Sequence, residues 1–110
     1  MIYVIATVET HSGKKREYLD YFLHTLAPLV RAERGCLEYG PTVDVENPLP
    51  NHPSPRENVV TIVERWSDLG ALEAHRHTEH MHAYRAYVKA LVVKSSVVVL
   101  QPITAADTIS

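Results

Sequence analysis

The run EAHRHTEHMHAY, residues 73–84, carries His75, His77, His80 and His82, four of the seven histidines of the chain. Imidazoles at this density offer two chemistries. Their neutral nitrogens ligate transition metals, and a histidine titrates near neutral pH, so one placed in a closed pocket serves as a general base. Spacing separates the two. On one continuous helix His75, His77 and His80 project about 200° and then about 300° apart. Helical zinc sites instead use histidines four apart, which share a face. Only a break near Thr78 would reset these directions, and the sequence supplies no cysteine cluster to complete a metal site, so no metal is expected.

The histidines then divide by their neighbours. His77 and His82 lie away from the apolar stripe and read as solvated. His75 follows Leu72 by three positions and His80 precedes Tyr84 by four, which puts both on inward flanks. Each is either a core histidine satisfied by a carbonyl or a pocket group. Glu64 alternates with Ile62 and Trp66 on one strand face. A carboxylate there needs a hydrogen bond or its ionised form is penalised. It is either a strand-end ion pair or a pocket group that orients a histidine. Trp66 reads as core, with an indole N–H that needs an acceptor. Tyr39 and Tyr84 read equally as half-buried core or as phenolic donors into a cavity. Cys36 reads as a small core residue.

Four strands and two helical regions must position these side chains. Residues 2–9 alternate, with Ile2, Val4, Ala6 and Val8 on one face. A helix follows from Lys14 to about Arg34, with Ser12 as its cap. Leu19, Phe22, Leu26, Leu29 and Val30 form its stripe, Pro28 bends it near Ala27, and Gly35 ends it. Strands are expected over 36–45, 59–66 and 95–101. Between the second and third lies a stiff loop with four prolines in residues 46–58. After the third strand, Ser67 caps a short helix and Thr78 caps another, on which Met81, Tyr84, Val88, Leu91 and Val92 face inward. The order β-α-β, β-α-β is that of a ferredoxin-like, split βαβ fold of the α+β class, an antiparallel sheet with helices on one face. Tyr3, Ile5, Val59 and Val63 fall on the other face, which a homodimer packed through the sheet faces would cover.

The chain has 110 residues, 45% hydrophobic and 22% charged, with a net charge of −2. That is one ordinary globular domain with no basic surface for nucleic acid. No apolar run is long enough to span a bilayer. MIYVIATVETHSGKK reads as a strand and not as a signal peptide, and the single cysteine forms no internal disulfide, so a cytoplasmic location is expected. No dinucleotide fingerprint, phosphate-binding glycine loop or nucleophile elbow occurs, so no cofactor is expected.

The segments ERGCLEYGPTVDV, VVTIVERW, LEAHRHTEHMHAY and VVVLQP, taken in order, resemble the antibiotic biosynthesis monooxygenase family. The elements of the resemblance are Glu33, Gly35-Cys36, Tyr39, Glu64, Trp66, His75, His80-Met81 and Ala83-Tyr84. Glu79 departs from it where a proline is expected, as does the proline-rich loop. The resemblance implies a dimeric α+β barrel, with residues 1–102 as the domain, and residues 103–110, after the strand stopped by Pro102, read as a C-terminal tail. It implies oxidation of a quinol-like or polyketide aromatic by O2 without metal or flavin. In that chemistry neutral His75 is the base and Glu64 orients it or accepts from the substrate. Tyr39 and Tyr84 donate hydroxyls, His80 relays a second proton, and Trp66 walls the aromatic slot. A non-catalytic quinone-binding protein, a small signalling-sugar isomerase and a haem-degrading enzyme are the alternatives on the same fold.

Overall fold

The structure, a computed structural model, describes residues 1–107. Strand β1 (Ile2–Thr10) leads to α1 (Lys15–Tyr21), a π-helical turn (Phe22–Leu26) and α2 (Ala27–Arg31). Strands β2 (Cys36–Thr42) and β3 (Val59–Trp66) follow, then α3 (Leu69–Arg76), α4 (Glu79–Val88) and β4 (Val92–Leu100). The strands form one sheet in the order β2-β3-β1-β4, every neighbouring pair antiparallel. This is the ferredoxin-like α+β arrangement, with the two central strands separated in sequence by a helix and an edge strand. Strand β4 starts three residues earlier than periodicity suggests and β2 stops three earlier. Of the tail expected over 103–110, a 3-10 turn at Ala105–Asp107 is seen, and 108–110 lie outside the described residues.

The register sets the faces. Ile2 pairs with Trp66, Val4 with Glu64, Ala6 with Ile62 and Val8 with Val60, and all eight are buried on the helix side. Tyr18, Phe22, Leu26, Ala27 and Val30 meet them from the first helical segment. Leu29, expected on that stripe, is 49% exposed, and Tyr18, not expected there, is fully buried. The π turn explains both. In an α-helix, residues at spacing four drift about 40° per step. The wider turn, in which the Ala27 N–H reaches back to the Phe22 carbonyl, cancels part of that drift. It also accommodates Pro28, which has no N–H to give.

Local chemistry fixes the other junctions. Lys14 stands at the N-cap of α1 without a side-chain hydrogen bond, so Ser12 is not the cap expected of it. At α3 the cap is Asp68, whose Oδ1 accepts from the Ala71 N–H at 2.8 Å, in place of the expected Ser67. Ser67 stands one residue before that cap, and its backbone N–H donates to the Gly35 carbonyl at 2.8 Å. Gly35 has φ +84°, and a Cβ there would lie 2.5 Å from Ala71 Cβ and 2.7 Å from Ser67 Oγ. Glycine therefore satisfies two demands at this point, a left-handed turn and a close approach of the chain to α3. Thr78 caps α4 as expected. Its Oγ1 accepts from the Met81 N–H at 3.3 Å and donates to the His75 carbonyl at 3.0 Å.

Among the described residues, no helix covers the opposite sheet face. Tyr3, Ile5, Val59 and Val63 are half-buried on it, while Val98 and Leu100 of β4 are 52% and 47% exposed. The loop between β2 and β3 has no regular structure, and Asp44 closes it by accepting from the Arg56 backbone N–H and both arms of its guanidinium. Among the described residues, no helix is long and apolar enough to cross a membrane.

Candidate active site: a carboxylate-held histidine beside an apolar cavity

The register that buries one sheet face leaves a cavity of about 830 Å³ between that face and helices α3 and α4. That is within the usual range for a small-molecule site. Val4, Ala6, Val97 and Val99 form its floor, and Leu72 and Met81 face them. Into this apolar space project a few polar groups: Tyr39, Glu64, His75 and Tyr84, with Arg76 and Arg85 also lining it.

His75 is 4% exposed and packs its ring against Trp66, centroids 4.7 Å apart, and edge-on to Tyr39 at 5.7 Å. Its Nδ1 lies 3.0 Å from Glu33 Oε2. A carboxylate only accepts, so the bond assigns the proton to Nδ1. Nε2 is then the unprotonated nitrogen of the neutral ring. It has no hydrogen-bond partner among the described residues, yet it is not sealed from solvent, since none of their buried side-chain nitrogens or oxygens lacks a partner. Burial lowers the His75 pKa, against the opposing pull of Glu33, and so favours the neutral ring.

The same Glu33 oxygen lies 2.6 Å from His80 Nε2. His75 and His80 therefore converge on one carboxylate, contrary to the expectation that helical spacing keeps the histidines apart. The break at Thr78 is the reason. It ends α3, restarts α4 in a new direction and turns both rings toward Glu33. The donor atoms of Glu33, His75 and His80 all lie within 4.8 Å of one another.

Glu64 does not hold His75. It accepts from the Trp66 indole N–H at 2.9 Å, which gives that indole the acceptor it needs. Burial pushes its pKa up to about 7; the Trp66 bond pulls it down and the Glu33 charge adds to the rise. Tyr84 shares a 2.6 Å hydroxyl–hydroxyl hydrogen bond with Tyr18, which lies behind it with no exposure. Burial raises the phenol pKa of Tyr18, Tyr39 and Tyr84, so all three stay protonated donors at neutral pH. His80 lines a separate hollow with Tyr21 and Leu29. His77 is exposed and pairs with Glu73 at 2.9 Å, and exposed His82 contacts Arg85, as expected of solvated residues.

Two members of this arrangement are absent from the residues singled out by spacing. Glu33 follows α2 in a turn, where nothing local marks a carboxylate as inward-facing; only its place in the family resemblance points to it. Tyr18 lies four residues before Phe22, and tracing the stripe back through i−4 would have found it.

Residues 1–87 match the family described as antibiotic biosynthesis monooxygenase. The chain is 35% identical over 104 residues to the probable quinol monooxygenase YgiN of Escherichia coli (strain K12), covering 93% of this chain and 98% of that one. Among solved structures it is similar to PA3566 from Pseudomonas aeruginosa, with TM-score 0.73, 28% identity and 94% of each chain covered. It is likewise similar to Rv0793 from Mycobacterium tuberculosis, with TM-score 0.71, 27% identity, and 96% and 97% of the two chains covered.

Proposed function

The chain belongs to the antibiotic biosynthesis monooxygenase family, and from that premise we propose that it oxygenates a quinol-like aromatic with O2, using no cofactor. The observation that carries this reading is His75, which lines an apolar cavity and is held by Glu33 through Nδ1, so that Nε2 is left unprotonated.

A quinol needs no flavin or metal to react with O2 once it is deprotonated, because the phenolate itself supplies the electrons. His75 Nε2 takes the hydroxyl proton, and Glu33 stabilises the imidazolium that forms. The electron-rich ring carbon then bonds to O2 and gives a ring hydroperoxide after protonation. Loss of water from that carbon breaks the O–O bond and leaves a carbonyl. Quinol plus O2 thus becomes hydroxyquinone plus water, with one oxygen atom kept. Tyr39 and Tyr84 donate hydrogen bonds to the substrate oxyanion. Glu64, pinned by Trp66, accepts from a substrate hydroxyl, and Trp66 backs the His75 ring.

We place the working form as a homodimer joined through the uncovered sheet face. The half-buried Tyr3, Ile5 and Val63 and the exposed Val98 and Leu100 support this, since such a surface is costly to leave in water. The single free cysteine fits a reducing, cytoplasmic setting.

The test is O2 uptake by chelator-treated protein across a panel of quinols and anthrones. The wild type should consume O2 with at least one of them, and His75→Ala should be slower by about 10²–10⁴-fold while keeping its far-UV spectrum. Equal uptake by the two proteins would remove His75 from the mechanism. Ligand binding without uptake would make the chain a quinone-binding protein.

A further inference from the structure

We infer that Glu33, His75 and His80 form a binding site for a divalent transition-metal cation, and that the cation, once bound, reverses the hydrogen-bonding sense of His75 in the cavity. The donor set is two imidazole nitrogens and one carboxylate oxygen, all within 4.8 Å of one another. Zinc and its first-row neighbours take this combination, and three protein ligands leave a further position for water. A cation about 2.1 Å from each donor holds the donors about 3.4 Å apart. The present separations of 3.0 Å and 2.6 Å from Glu33 Oε2 must widen to admit it, and the two imidazole nitrogens, within 4.8 Å of each other, are already within side-chain reach of that spacing. His75 and Glu33 are nearly buried, with side-chain exposures of 5% and 12%, so the site is framed by packing rather than by mobile surface groups.

The position of the cluster determines what the cation would do. Of the three ligands only His75 lines the cavity. A cation between them sits behind the His75 ring and does not reach a substrate on its other side. Its effect passes through the ring. In the metal-free protein the neutral ring carries its proton on Nδ1, and Nε2 is an acceptor. When Nδ1 ligates the cation, the neutral ring carries that proton on Nε2. Each histidine stays neutral, one hydrogen per ring moves to the opposite nitrogen through solvent, and no electron is transferred. At His75 the cavity loses an acceptor and gains a donor. Resting on the function proposed above, this makes the cation an inhibitor of proton abstraction, and release of the cation restores the base.

Binding is measured with Zn²⁺ by calorimetry and with Co²⁺ by its visible absorption, on the chelator-treated full chain. One cation per chain is expected. His80→Ala and Glu33→Gln should each weaken binding by at least about tenfold, as loss of even an outer partner of a metal ligand does. His77→Ala, at an exposed position, should bind as the wild type does. Binding that is absent, or unchanged in both His80→Ala and Glu33→Gln, overturns the site. The tautomer is read by ¹⁵N NMR of the His75 ring without any substrate, so this arm stands apart from the monooxygenase reading. The proton should move from Nδ1 to Nε2 as Zn²⁺ is added, and a ring that keeps its Nδ1 proton at saturation overturns the switch.

Discussion

Glu33 Oε2 and His75 Nδ1 lie 3.0 Å apart across 42 residues of sequence. This one contact selects the tautomer of His75 and therefore which nitrogen can act in the cavity. Replacing Glu33 by Gln keeps the shape but lets an amide N–H face Nδ1, which favours the opposite tautomer. Glu33→Gln should lose a large part of the about 10²–10⁴-fold that a general base contributes. The loss should fall on kcat more than on KM, because Glu33 does not line the cavity. Steady-state O2-electrode kinetics on the two proteins decide it, and a change confined to KM would contradict the role.

Thr78 joins the two helices that carry His75 and His80, since its hydroxyl both donates to the His75 carbonyl and accepts from the Met81 N–H. Thr78→Ala should cost about 1 kcal/mol of stability, the usual loss for a helix cap. It should also lower kcat, because both rings lose the junction that aims them at Glu33. Thr78→Ser should restore both. Urea denaturation and O2 uptake give the two readings, and an Ala variant with full activity would separate the cap from the site.

Glu64 should make stability fall as pH rises. Its pKa goes from 4.5 to about 7 on folding, chiefly through burial, so the folded chain binds this proton more tightly than the unfolded chain does. The resulting stabilisation is fully present below about pH 4.5 and is lost as pH climbs through 7. It amounts to as much as about 3 kcal/mol at this shift. Glu64→Gln removes the titration while keeping an acceptor for Trp66. Its melting temperature should exceed that of the wild type at pH 8, and the gap should close toward pH 4. A gap independent of pH would show that Glu64 titrates normally.

The uncovered sheet face should be a subunit interface. Val98 is 52% exposed on β4, and its pairing partner on β1, Ile5, is half-buried. Val98→Lys places a charge at that contact. Light scattering should give the wild type twice the chain mass of 12.4 kDa and the variant a mass shifted toward one chain. A wild-type protein that runs as a single chain would remove the dimer from the proposal.

Local patterns in the sequence determined the sheet and most of its neighbours. Alternation over Ile2–Thr10 and Val59–Trp66 set which side chains face the helices, because the strand period is two residues whatever the strand pairs with. Thr78 announced its own helix cap, because capping is a contact across three residues. His75, Glu64, Tyr39 and Tyr84 were readable as inward polar groups for the same reason, as each interrupts an apolar face. The partners of those groups were decided only by tertiary structure. The strand face left Glu64 as either an ion pair or a group that orients a histidine, and the structure turns Glu64 to Trp66 and His75 to Glu33. The meeting of Glu33 with His75 and His80 depends on the π turn that shifts the phase of the first helical segment. It depends as well on Gly35, which lets the chain pass against Ala71, and on the change of direction at Thr78. Each of these is a local event, but their sum is a position in space. A sequence encodes which face a side chain takes over a few residues; where two such faces meet across 42 residues follows from how the helices pack on the sheet.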